Sequence, residues 1–178
     1  LSINSTYTKT RFILQTGTAL HETDDSFAFC LANNSDLYCI KKSNTGSNST
    51  EVHILEAAGN YQSFSLQTGT ALHETSTNWE FMLADNNDIF AIKKNETGSN
   101  STEIHVLSSA DNYQSFSLQT GTALHETFAE FQFALAPNRD LYAIKKRGTG
   151  SSSTEIHVLS ATNNYQSFSL QTGTVLHE

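Results

Sequence analysis

Basic residues are scarce in this chain: 10 lysines and arginines stand against 18 acids, giving a formal net charge of −8. Paired lysines recur, but the acids outnumber them, so no basic footprint for nucleic acid emerges. No apolar run approaches the roughly 18 residues of a membrane-crossing helix, and membrane insertion is not expected. There is no signal-peptide pattern, yet the chain begins at Leu1 instead of Met, which suggests a processed, mature form. Cysteine occurs only at Cys30 and Cys39. Their counterparts one repeat later are Met82 and Ala91, then Ala134 and Ala143, so neither thiol belongs to a repeated metal or catalytic site. No segment carries a convincing helical pattern, and that absence points to an all-β chain.

What the chain has in abundance is itself. The stretch Leu66-Gln-Thr-Gly-Thr-Ala-Leu-His-Glu-Thr75 recurs from Leu14, from Leu118 and from Leu170, each time 52 residues on. Three more blocks keep that step: Asp36 to Lys42, Ser49 to Leu55 and Asn60 to Leu66. A fixed period with no insertion marks a repeat architecture, in which each unit needs its neighbours to bury its apolar face. The chain reads as one repeat domain over 1–178: a partial unit at 1–23, then repeats at 24–75, 76–127 and 128–178. Tyr7 to Ile13 reads as a diverged copy of what precedes the motif elsewhere.

Within a unit, Phe27-Ala-Phe-Cys-Leu31 alternates with the period of a half-buried strand, as do Trp79 to Leu83 and Phe131 to Leu135. A polar turn follows, in which Pro137 suits the second position of a type I turn. The second strand is Leu37 to Lys42, the third Thr50 to Leu55 and the fourth Tyr61 to Gln67, with Thr68-Gly69-Thr70 read as a turn. Centring the first turn on Asn34 and Ser35 places Cys30 opposite Cys39, close enough for a disulfide. Lys41-Lys42 and Glu51 on neighbouring strands predict cross-strand charge pairs. Three four-stranded repeats fit propeller-like blades or a β-trefoil with threefold pseudosymmetry. Three blades are too few for a ring, so the blade reading carries an expectation of closure by a homodimer or higher homo-oligomer.

Phe131-Gln-Phe-Ala-Leu-Ala-Pro-Asn-Arg-Asp-Leu-Tyr-Ala-Ile144 resembles the inner hairpin of tachylectin-type propeller blades. The whole unit is similar to repeats of the FG-GAP, integrin-like propellers. The resemblance implies a lectin, with N-acetylated sugars as ligands by analogy with related lectins. Relatives often carry an Asp-rich calcium loop at the turn. Here the turns are short and end in Asp36, Asp88 and Asp140 alone, a departure from that pattern, and no metal or cofactor is expected.

An enzyme usually needs one asymmetric constellation of acid, base or nucleophile, whereas this chain offers the same groups repeatedly. The expectation is a non-enzymatic, multivalent carbohydrate-binding protein, secreted or extracellular, with glycans or glycoproteins as partners. Acceptor sequons at Asn4, Asn33, Asn48, Asn95 and Asn100 lend secretion weak support. Sugars are held by polar side chains that chelate hydroxyls and by aromatic faces. The candidates are His21/Glu22, His73/Glu74 and His125/Glu126 between units, and Asn60/Tyr61, Asn112/Tyr113 and Asn164/Tyr165 before the fourth strand. The plainer alternative is recent duplication, in which Asn-Tyr starts a strand and His-Glu caps a turn. Trp79 reads as core, and His53, His105 and His157 as sheet-face residues. A protein-interaction or structural repeat domain is the competing function.

Overall fold

The computed structural model describes residues 14 and 16–177, so the expectation for Tyr7 to Ile13 lies outside the described residues. Each repeat is one four-stranded antiparallel meander: β1 to β4 (Phe27–Leu31, Leu37–Lys41, Ser49–Leu55, Phe64–His73), β5 to β8 (Trp79–Leu83, Ile89–Lys93, Ser101–Leu107, Phe116–His125) and β9 to β12 (Phe131–Leu135, Leu141–Lys145, Ser153–Leu159, Phe168–His177). The three sheets are hydrogen-bonded within themselves and stack face to face, with the first strands of successive units side by side.

Alternation assigns each strand two faces. The rear face of the first unit, with Tyr38, Ile40, Val52, Ile54 and Leu72, packs on the front face of the second, with Phe81, Ile89, Ala91, Leu107 and Tyr113. The second unit repeats this with Phe90, Ile92, Ile104, Val106 and Leu124 against Phe133, Leu141, Ala143, Leu159 and Tyr165. Both cores therefore lie between units, as expected when one sheet cannot bury its own faces. Arg139 adds a charged tie across the second junction: its Nη2 donates to Asp88 at 2.7 Å, and its guanidinium sits 5.2 Å from the centre of the Phe90 ring.

Among the described residues, no neighbouring sheet covers the outer faces of the stack. Phe29 is 49% exposed, whereas its equivalents Phe81 and Phe133 are 8% and 6% exposed. At the other end Leu176 is 64% exposed, against 6% for Leu72 and 8% for Leu124.

Three expectations are corrected. Cys30 pairs with Tyr38 and Cys39 with Phe29, and both thiols are free. The loop between Leu31 and Leu37 holds five residues, centres on Asn34 and includes Ser35 in the left-handed region at φ 71°, an odd count that shifts the register by one from a turn centred on Asn34 and Ser35. A one-residue slip sends the cysteines to opposite faces, so they can neither oppose one another nor bond. Thr68-Gly69-Thr70 is strand, not turn. Gly69 faces Glu51 across the ladder, and a Cβ there would lie 2.8 Å from Ser49 Oγ and 3.1 Å from Ser47 Oγ. Its glycine is required by close approach of the serine-rich segment. Finally, Lys41 and Glu51 are register partners, but no lysine–glutamate ion pair forms among the described residues.

Asp36, Asp88 and Asp140 have structural duties. Their Oδ1 atoms accept the backbone N–H of Ala57, Ser109 and Ala161 at 2.9, 2.9 and 2.8 Å, tying each hairpin turn to a short 3-10 turn before the fourth strand. Among the described residues no cluster of three or more metal-ligating side chains occurs.

Candidate functional site

The same cleft opens at successive unit boundaries. In the first, Ala19 to Glu22 lie across a pocket of about 480 Å³ floored by Phe27, Lys41, Glu51, His53, Phe64 and Gln67. In the second, Ala71 to Thr75 close a pocket of about 270 Å³ over Trp79, Lys93, Glu103, His105, Phe116 and Gln119. Each lining position of the first has its counterpart 52 residues later in the second. Around the third boundary, His157 keeps the same partners in Glu155, Gln171, Phe131 and Phe168.

A polar chain fixes the floor. Ser47 Oγ donates to Glu51 Oε1 at 3.0 Å, and Glu51 Oε2 lies 3.5 Å from His53 Nε2. On the other side of the ring, Gln67 Nε2 is 3.1 Å from His53 Nδ1. With the amide nitrogen donating, Nδ1 is the acceptor and the ring proton resides on Nε2, facing the carboxylate. The second and third units reproduce this with His–Glu distances of 3.4 and 3.6 Å and His–Gln distances of 3.0 Å. Burial lowers the pKa of His105, an effect that Glu103 partly opposes. Trp79 lies 5.1 Å from the His105 ring centre, and Phe131 lies 6.2 Å from His157. Trp79 is half-buried: it packs against the core and also walls the cleft.

His21/Glu22 and His73/Glu74 line these clefts. Glu74 has a second task. Its Oε1 accepts the Thr45 N–H at 2.6 Å and the Thr45 hydroxyl at 2.8 Å, which clamps the loop between β2 and β3. Glu126 does the same for Thr97, at 2.6 and 2.8 Å. Those hydrogen bonds, the backbone one foremost, hold both carboxyls below their ordinary pKa.

Asn60/Tyr61, Asn112/Tyr113 and Asn164/Tyr165 lie apart from these clefts. The asparagines end the 3-10 turns in the left-handed region, at φ 51°, 55° and 46°. The tyrosine hydroxyls donate to Ser35, Asn87 and Arg139 carbonyls at 3.1, 3.1 and 2.9 Å. Tyr113 and Tyr165 are buried against Tyr38 and Phe90 of the preceding unit, with ring centres 6.5 and 6.4 Å apart. Asn164 and Tyr165 do border a cleft of about 240 Å³ with Arg139. Even there the hydroxyl is committed internally, so stacking of a sugar on the buried Tyr113 and Tyr165 is corrected to a structural role.

The residues that sequence reasoning passed over are those of the cleft floor: the histidines of the third strand, the facing glutamines and Trp79. The signal was present in the strict recurrence of His53, Glu51 and Gln67, but a single sheet's pattern does not reveal that a neighbouring unit's tail roofs them. No family model, curated protein or solved structure matches this chain, and the site stands on its geometry.

Proposed function

We propose that this chain is a non-enzymatic, multivalent carbohydrate-binding protein whose sites are the boundary clefts. The observation that carries this reading is the recurrence, in successive units, of an aromatic wall beside a lysine and hydrogen-bonded carboxylate and amide groups in one cleft. Such a combination suits a sugar, which offers C–H faces to a ring and hydroxyls to planar polar groups. Several weak sites on one scaffold gain avidity of about 10²–10⁴-fold on a surface dense in glycans. The stacking of separate sheets whose outer faces keep exposed apolar residues supports blades over a self-closed trefoil, and two chains would supply six units.

A glycan array probed with labelled full-length chain tests the function, with N-acetylated sugars the first class to inspect. Retention of one glycan class that Trp79→Ala weakens is the expected result. No retention on any glycan would favour the protein-interaction reading.

A further inference from the structure

The described residues of 14–23 occupy the first unit's front face as the fourth strand's tail occupies the later ones. Ala19 N–H donates to Tyr61 O at 2.9 Å, matching Ala71 to Tyr113 and Ala123 to Tyr165, both 2.9 Å. Gln62 Nε2 reaches Thr16 Oγ1 at 3.2 Å and the Gly17 carbonyl, just as Gln114 reaches Thr68 and Gly69. Yet the described part of 14–23 forms no strand, whereas β4, β8 and β12 are ten-residue strands paired in their own sheets. The sequence Leu14 to Glu22 differs from Leu170 to Glu178 only in Ala19 against Val175.

The two ends of the stack are thus the two halves of one junction. At the rear of the third unit, Leu170 and Leu176 are exposed and Tyr142, Ile144 and Ile156 half-buried, while Tyr38, Ile40 and Val52 at the first unit's rear are fully covered. At the front of the first unit, residues 14–23 leave Phe29 and Leu31 exposed. A whole sheet arriving there would cover both, as the first unit covers Phe81.

We infer that the first unit's front face docks the rear face and β12 tail of a second copy of this chain, and that residues 14–22 hold the tail's place in cis until displaced. This rests on the blade reading. The contact is heterologous, so it closes into a ring or propagates according to its rotation. Displacement is favoured because the incoming sheet buries apolar surface that the cis segment cannot reach. Occupation of the face in cis lowers the apparent affinity in proportion to the fraction of time the face is left open.

The test is solution mass by light scattering for the full chain and for Phe29→Asp and Leu176→Asp, both substitutions at exposed positions. The wild type should self-associate, each variant alone should be monomeric, and an equimolar mixture should form a 1:1 dimer and nothing larger. Leu20→Asp, which loosens only the cis segment, should tighten association, by about tenfold if that segment fills the face ~90% of the time. A monomeric wild type, a single variant that still associates, or a mixture that stays monomeric overturns the docking. Unchanged or weaker association in a folded Leu20→Asp chain overturns the displacement. Thermal melts keep the failures apart. A monomeric wild type with unaltered variant melts leaves the blades standing and removes the docking alone. A monomeric wild type whose melt either variant lowers strongly would mean that these faces are covered within the chain, and the blade reading falls. Glycan retention is read separately and does not depend on mass.

Discussion

Cys30 and Cys39 sit on opposite faces of one hairpin, and burial pushes each thiol up to about 11. The expected outcome is two free thiols on denaturation and slow labelling of both in the native chain at neutral pH; a mass two protons lighter under denaturing, non-reducing conditions would contradict the register. His105 gives a second expectation. Its folded pKa is lowered below the ordinary value of about 6.5. The unfolded chain therefore takes up the proton first as pH falls. Stability from this ring is complete above about 6.5 and drains away below it. Urea midpoints of the wild type should fall through that window more steeply than those of His105→Phe, and parallel curves would assign the loss to other groups. At this scale the sequence was partly legible. The aromatic and β-branched alternation located Phe27, Phe29 and Leu31 on one face, but the left-handed Ser35 that sets the register leaves no mark in residue type.

At the scale of the element, the fourth strand decides how units join. Leu72 of β4 is buried under the second unit and Leu176 of β12 is exposed, although their sequence surroundings are nearly identical. Leu72→Ala should cost ~2–5 kcal/mol of unfolding free energy through lost burial and a cavity. Leu176→Ala should cost a small fraction of that in the monomeric chain. Chemical denaturation of the two variants at low concentration checks this, and equal losses would mean the ends are covered within one chain. The first and second strands of each unit were legible almost to the residue, because period-two patterns bounded by polar turns leave little freedom. The fourth was not. Thr68-Gly69-Thr70 has turn composition, and only the approach of Ser47 and Ser49 from the neighbouring segment explains a glycine inside a strand.

For the whole molecule, the 52-residue period was enough to foresee three four-stranded all-β units. It could not show what lies between them. His73 and Glu74 belong to one unit, Trp79, Glu103 and His105 to the next, and only stacking brings them to one cleft. Sequence reasoning thus singled out the residues that roof this cleft and not those of its floor. The middle cleft alone has tryptophan where the others have phenylalanine, so the larger face should make it the tightest of the set. Titration calorimetry with the glycan retained on the array, comparing wild type with Trp79→Ala, tests the central claim most directly. More than one site per chain is expected, with the tightest lost and the remainder unchanged in the variant. A single site in the wild type, or full stoichiometry and affinity in a folded Trp79→Ala chain, would contradict it.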